Sequence, residues 1–185
     1  MATTTATPAT TTWNIDPAHS SAEFKVKHMM ISNVKGRFER ISGSLTWDES
    51  DITKSSVEAN IDAATINTND AQRDGHLKSA DFFHVEQHPT MTFQSSGVRQ
   101  HGDDFLLDGD LNLRGVTKPV TFKLEVNGFG PDAYGGTRAG FSATTEINRN
   151  DWGVSYNGPI PGGGVAVSEK VTINLEIEAV LDKGE

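Results

Sequence analysis

The chain has 185 residues, a length that suits one domain with a core, or with a core that also encloses a cavity. Its net charge of -9 and its pI of about 5.1 argue against nucleic acid or an anionic membrane surface as the main partner. Because it contains no cysteine, a disulfide, a thiolate metal site and a cysteine nucleophile are excluded.

Residues 1–11 form a Thr/Ala/Pro tract with little apolar surface to bury, and we expect a disordered tail followed by a single domain over 12–182. The tract has neither a basic opening nor an apolar run, so we expect no signal peptide and a cytoplasmic location. No later segment approaches the ~20 apolar residues of a membrane span, so an integral membrane protein is not expected.

Apolar and polar residues alternate along most of the chain, with the period of two that is typical of half-buried antiparallel strands. After Trp13 and Ile15, the pattern recurs in residues 22–28, 41–47, 57–63, 91–97, 105–113, 120–126, 139–147 and 171–181. This predicts an all-β protein, an extended antiparallel barrel of about eight strands, because closure removes the sheet edges. A barrel of that size is either filled by side chains or left with room for one small ligand.

One segment, residues 69–83, is predicted to be helical. Asn69 is the expected N-cap, and Gln72 completes a capping-box pattern with it. Arg73, His76 and Leu77 then share a helix face, while Gly75 keeps the helix short. We expect this helix to form a lid at one end of the barrel, with a polar head group of a ligand near Arg73 and His76.

Small residues at inward-facing positions do not decide whether the interior is packed or hollow. They lie among large apolar residues, at Gly43, Ala59, Gly97, Gly109, Ala139 and Ala143. Large residues facing small ones in a packed core and an unfilled cavity both account for this pattern. The basic segment 23–40 is interpreted as a solvated outer strand face.

Few residues form patterns typical of chemical sites. His84 and His88 have helical metal-ligand spacing but no third ligand nearby, so no metal site is predicted. His28 lies on an inward-facing position, as a core histidine or as a contact to a ligand. Residues 148–152 are either a turn or a polar anchor at the barrel mouth. The glycine-rich segment 157–165 lacks the Lys-Ser/Thr of a phosphate loop, so it is interpreted as a rim loop.

An ordered set of motifs across the chain resembles the YceI-like family of lipid-binding barrels. The set comprises W-N-I-D-P-A-H-S at 13–20, F-K-V-K-H at 24–28, G-R-F at 36–38, R-D-G-H-L-K-S-A-D-F-F at 73–83, H-P-T-M-T-F at 88–93, L-N-L-R-G-V-T-K-P-V at 111–120, I-N-R-N-D-W-G at 147–153 and V-S-E-K-V-T-I-N-L-E-I-E-A at 167–179. His84 and His88 depart from it, since the family often has an acid and an aromatic residue there.

The resemblance implies a lipocalin-like barrel that is not an enzyme and has no cofactor. Its interior is expected to hold a hydrophobic small molecule, a polyisoprenoid or a quinone-like lipid, and the family implies a homodimer. It also gives a periplasmic location as the alternative to a cytoplasmic one.

We therefore expect a binding protein whose ligand tail lies among apolar residues of the barrel, namely Phe24, Val26, Phe93, Phe105, Leu107, Phe122 and Phe141. The polar candidates at the mouth are His28, Arg73, His76, Arg149 and Asn150, with Trp152 beside them. One alternative is an enzyme that acts on a hydrophobic substrate with His28 or His76 as general base. Another is an interaction domain with a solid core.

Overall fold

The computed structural model describes residues 10–29, 31–157 and 167–183. Its described part contains eleven strands: β1 (Thr10–Ile15), β2 (Ser21–His28), β3 (Ser32–Phe38), β4 (Ile41–Asp48), β5 (Ser56–Asp62), β6 (Ile66–Asn67), β7 (Thr90–His101), β8 (Asp104–Leu113), β9 (Val116–Pro131), β10 (Thr137–Asn148) and β11 (Val167–Leu181). The α-helix is α1 (Ala71–Leu77), and short 3₁₀ turns cover Ile52–Lys54, Ala63–Thr65 and Arg149–Trp152. None of the helices in these ranges is long and apolar enough to cross a bilayer.

Eight strands form a closed antiparallel ring in the order β1-β4-β5-β7-β8-β9-β10-β11. The ring closes where β1 pairs with β11, with Trp13 opposite Leu181 and Ile15 opposite Ala179. The predicted all-β barrel of about eight strands is therefore confirmed, and α1 is not part of the ring.

The length of β11 explains why three further strands join this wall. Residues 179–181 of β11 pair with β1, whereas residues 167–176 pair with β2. From there β2 pairs with β3, and β3 pairs with the two-residue strand β6. The strands β2, β3 and β6 thus extend the barrel wall beyond the point where β1 ends, at the end of the barrel nearer to α1.

The sequence pattern missed β3 and β6. The segment S-N-V-K-G-R-F of β3 has only two large apolar residues, and β6 is too short to show any alternation. Strand β1 also begins two residues before the predicted domain boundary, because Thr10 and Thr11 pair with Asp48 and Trp47 of β4. Of the predicted disordered tail, residues 1–9 lie outside the described residues.

The predicted N-cap of the helix is wrong by one residue. Asp70 caps α1, its carboxylate accepting hydrogen bonds from the backbone N–H groups of Gln72 and Arg73, both at 3.1 Å. Asn69 has a left-handed backbone with φ of 63°, and its own N–H donates to Asn67 Oδ1 at 2.8 Å. Because the capping carboxylate comes from Asp70, the helix begins at Ala71 and no capping box with Gln72 forms.

Candidate functional site

The barrel encloses a cavity of about 240 Å³ whose wall is almost entirely apolar. Six of the seven residues predicted to hold a ligand tail line it: Phe24, Val26, Phe93, Leu107, Phe122 and Phe141. The seventh, Phe105, packs against the core but does not line the cavity. The alternation along the strands thus identified the wall, because every second side chain of a closed ring points inward.

Aromatic rings fill part of the space that the glycines leave. A Cβ atom on Gly36 would come within 2.3 Å of Phe24 Cζ, and one on Gly109 within 2.4 Å of Phe93 Cζ. These rings therefore lie directly over glycines of the neighbouring strands. Ala59 and Ala143 line the remaining cavity. Of the small residues named from the sequence, Gly109 is covered by a ring whereas Ala59 and Ala143 border unfilled space, so both interpretations hold in part.

A lid formed by α1 and the turn after it covers one end of the cavity. Its residues Leu77, Phe82 and Phe83 line the cavity, and none of the three was among the predicted tail-binding residues. The sequence signal for Phe82 and Phe83 was that they form an apolar pair at the end of the predicted segment 69–83. The ring of Phe83 meets that of Phe38 on β3 edge to face, with centroids 5.6 Å apart. The lid is thus packed onto the wall that β3 extends.

Buried Thr68 holds the lid helix in place. Arg73 donates from Nε to Thr68 Oγ1 and from Nη2 to Thr68 O, both at 2.8 Å. Thr68 N donates to Asp74 Oδ1 at 2.9 Å, so consecutive residues of α1 both bind the same threonine. Arg73 therefore anchors the helix and does not point at the cavity, which corrects its predicted place beside a ligand head group.

Arg149 is the buried cation of the cavity wall, with 5 % of its surface exposed. It donates to four backbone carbonyls: Val154 at 2.6 Å, Ser168 at 2.9 Å, Tyr156 at 3.0 Å and Val167 at 3.2 Å. No described carboxylate forms a salt bridge with it, and burial lowers the pKa of its guanidinium. The carbonyl dipoles offset part of the desolvation cost and leave a positive charge beside an apolar space.

Tyr156 connects this cation to the lid. Its carbonyl accepts from Arg149, while its ring lies 5.0 Å from that of His76 and 5.3 Å from that of Phe82. Arg114 adds a second connection, donating to Ala80 O at 2.7 Å and to Gly153 O at 3.1 Å. The turn after α1 and the segment after β10 are therefore joined at the same end of the barrel.

The other predicted polar residues do not line the cavity. His28 is exposed at the end of β2, and Asn150 is exposed in the 3₁₀ turn after β10. His76 lies on the exposed side of α1, where its Nε2 is 2.8 Å from Asp81 Oδ2. Trp152 is buried, and its indole N–H donates to Leu111 O at 2.9 Å. Of the polar candidates at the mouth, only Arg149 lines the cavity, because strand ends and helix faces direct the others outward.

One group of described residues has the spacing of metal ligands, at the end of the barrel far from α1. Asp16, His19 and Glu178 bring their ligand atoms within 4.8 Å of one another. Arg138 Nη1 lies 2.7 Å from Asp16 Oδ2 and 3.4 Å from Glu178 Oε2. Since this guanidinium already forms ion pairs with both carboxylates, we interpret the group as an ion-pair network. The rings of His84 and His88 lie 5.8 Å apart, edge to face, and belong to no such group.

Comparisons with known proteins agree with this architecture. The model of the YceI-like domain matches residues 13–179. A UPF0312 protein of Pseudomonas aeruginosa is 39% identical over 163 residues, covering 88% of this chain and 82% of that protein.

Two solved structures have the same fold. The YCEI protein of Campylobacter jejuni superimposes with a TM-score of 0.71 at 30% identity, over 86% of this chain and 91% of that one. A polyisoprenoid binding domain from Saccharophagus degradans gives a TM-score of 0.69 at 16% identity, over 92% of this chain and 98% of that one.

Proposed function

Because this chain belongs to the YceI-like family and its barrel encloses an apolar cavity, we propose that it carries a polyisoprenoid or a similar long-chain amphiphilic lipid. The observation that carries the proposal is the continuous apolar wall of the cavity with one buried cation set into it. The description of the Saccharophagus degradans neighbour as a polyisoprenoid binding domain supports the same ligand class.

Burial of the hydrocarbon tail would provide the binding free energy. Each methylene group moved from water into such a wall contributes roughly 0.8 kcal/mol, so about twenty carbons contribute on the order of 15 kcal/mol. Association and ordering cost roughly 4–15 kcal/mol. The difference favours binding by up to about 11 kcal/mol, so the tail can supply the affinity without a strong ionic contact.

Arg149 favours a tail whose polar end accepts a hydrogen bond. Of its five N–H donors, four bind backbone carbonyls of described residues, and the Arg149 residue lines the cavity. A quinone carbonyl or a phosphate oxygen would be stabilised by this charge in a region of low dielectric. We place the head group of the lipid at this end of the cavity, beneath the lid.

The enzyme alternative loses its motivation in this geometry. It needed His28 or His76 beside a bound substrate as a general base. His28 is exposed at a strand end and His76 contacts Asp81 on the outer side of the lid, so neither lines the cavity. A carrier is the function that these positions support.

Native mass spectrometry of the purified protein tests the carrier proposal. A bound prenyl or other long-chain lipid, removed by solvent and taken up again unchanged, is expected. Ala143→Phe fills the cavity and should reduce uptake, whereas Thr144→Phe on the outward face of the same strand should not. If Ala143→Phe does not fold, Ala143→Leu serves instead. A barrel that takes up no lipid, or equal uptake by the inward and outward variants, would overturn the proposal.

The homodimer and the cytoplasmic location stay predictions. Sedimentation velocity on the purified chain checks the first, since a dimer has twice the mass of 20.0 kDa. Fractionation of cells that produce the chain checks the second, and recovery from the periplasm would support the family-based alternative.

A further inference from the structure

The hairpin of β2 and β3 carries an unbalanced positive charge on its outer face. Residues 24–38 contain Lys25, Lys27, Lys35 and Arg37 and no acidic residue, although the whole chain carries a net charge of -9. Lys25 lies directly opposite Lys35 across the ladder, an arrangement that destabilises a sheet through like-charge repulsion. Within the described part of the chain, none of the three lysines forms a salt bridge. Arg37 contacts Glu39 at 3.3 Å.

Exposed apolar side chains lie at the tip of the same hairpin. Ile31 is 89% exposed and Met29 is 37% exposed. A rise of about 3.4 Å per residue places Lys27 about 3 Å and Lys25 about 10 Å along β2 from His28, and a Debye length is about 10 Å at 0.1 M salt. Interfacial amphipathic helices bind lipid surfaces through the same two features, apolar side chains that insert and basic side chains beside them.

The tip lies at the Arg149 end of the cavity. His28, the last residue of β2, pairs with Val167, whose carbonyl accepts from Arg149 Nη2 at 3.2 Å. Two positions earlier on β2, Val26 lines the cavity. A surface bound by the hairpin would therefore meet the end of the barrel where Arg149 lies.

Acidic side chains surround the hairpin without neutralising it. Glu23 lies opposite Arg37 at the far end of β2, and Glu169 lies in the irregular part of β11 between Val167 and Val171. The lid adds exposed Asp81, which is paired with His76. Because exposed charges are screened beyond about 10 Å, the lysines near the tip, and not the net charge, dominate at contact with a surface.

We propose that the β2–β3 hairpin docks this protein onto an anionic lipid bilayer, with Ile31 and Met29 among the head groups and Lys25, Lys27 and Lys35 facing the lipid phosphates. The proposal goes beyond the carrier function, since docking requires no cargo in the cavity. An anionic bilayer fits both the lysines and the exposed isoleucine, whereas an acidic protein would account for the lysines alone.

Co-sedimentation of the full chain with vesicles tests the docking. Vesicles of equal parts phosphatidylcholine and phosphatidylglycerol are expected to bind the protein at low salt and to release it at high salt. Vesicles of phosphatidylcholine alone are expected to bind it far more weakly. Equal binding to the two vesicle types, or no binding to either, would overturn the proposal.

Matched variants assign the binding to the hairpin. Lys25→Gln/Lys35→Gln should weaken binding to the mixed vesicles roughly 25-fold, because each lysine near an anionic surface contributes about fivefold. Lys54→Gln/Lys118→Gln removes the same charge from exposed positions elsewhere and should bind as the parent does. Ile31→Ser should weaken binding about tenfold or more.

Equal binding by the two double variants would show that the hairpin is not the docking site. Lipid uptake by the same variants, measured by native mass spectrometry, separates this proposal from the carrier function. Hairpin variants that lose vesicle binding but take up lipid normally would support docking. A parent chain that takes up no lipid would contradict the carrier function and would not bear on docking.

Discussion

The ring of Phe24 lies directly over Gly36, its cross-strand partner on β3, so that a Cβ atom at residue 36 would come within 2.3 Å of the ring. Phe24 lines the cavity, and Gly36 is buried beneath it. The absence of one side chain on β3 thus determines how far an aromatic ring of β2 extends into the cavity. The size of the cavity therefore depends on Gly36 of β3 as well as on the side chains that line the cavity.

Gly36→Ala should therefore reduce the space for a ligand. The added methyl group meets the far end of the ring and displaces it into the cavity, at a cost of about 1–3 kcal/mol in the free energy of unfolding. Lipid uptake measured by native mass spectrometry should fall. Gly97→Ala is the control, because nothing lies within 4 Å of the added atom. Uptake by Gly36→Ala equal to that of the control would contradict the prediction.

Replacement of Arg149 should destabilise the barrel. Arg149→Met leaves four carbonyls without their donor, and we expect the free energy of unfolding in urea to fall by about 2–4 kcal/mol. Arg149→Lys keeps the charge but cannot reach the four acceptors in the same geometry, so its loss should be intermediate. Arg37→Met removes an exposed ion pair and should change stability by less than about 1 kcal/mol. A similar loss of unfolding free energy in all three variants would show that the hydrogen bonds of Arg149 do not stabilise the barrel.

Release of the lid helix should increase amide hydrogen exchange in α1. Arg73→Met removes both hydrogen bonds to Thr68, so α1 should open more often, and amide hydrogen exchange over residues 71–77 should increase about fivefold or more. Gln72→Met, on the same exposed turn, keeps the anchor and is the control. Unchanged exchange in Arg73→Met would show that packing of Phe82 and Phe83 holds the lid without the arginine.

The ion pair between Asp16 and Arg138 should make stability depend on pH. The hydrogen bond from Arg138, with a smaller one from His19, lowers the pKa of Asp16 from 3.8 to about 2. Since the folded state has the lower pKa, the stabilisation is present above about pH 4 and is lost as the pH falls from about 4 to about 2. The Asp16 side chain is only 16% exposed, so we expect a contribution of about 1–2 kcal/mol.

Urea denaturation of Asp16→Asn measures this contribution. Its deficit relative to the parent chain should be full at about pH 5 and should shrink toward about pH 2, where about half of the Asp16 carboxylate in the folded parent chain is protonated. In an Arg138→Gln background, the same substitution should cost much less at every pH, because the guanidinium is gone. A deficit that persists unchanged at low pH would exclude the ion pair as its cause.

The sequence by itself determined the class of fold and most of the cavity wall. The period-two alternation assigned Phe93, Leu107 and Phe122 to the inner face, because a strand directs successive side chains to opposite sides. It located the lid segment but not its cap, since Asn69 and Asp70 are both good capping residues and only the left-handed backbone at Asn69 distinguishes them. It missed β3 because that strand is stabilised by pairing with β2 and not by its own apolar residues.

Only the tertiary structure decided whether the barrel is hollow and which polar residues lie in it. Alternation assigns a side chain to a face, but the space that remains depends on contacts across strands, as between Phe24 and Gly36 or Phe93 and Gly109. The same limit applies to the charges. The sequence predicted both Arg73 and Arg149 at the barrel mouth. In the structure, Arg73 is exposed and binds Thr68, whereas Arg149 is buried in the cavity wall. The direction of a long side chain is set by partners distant in sequence, and these are brought together only when the ring closes.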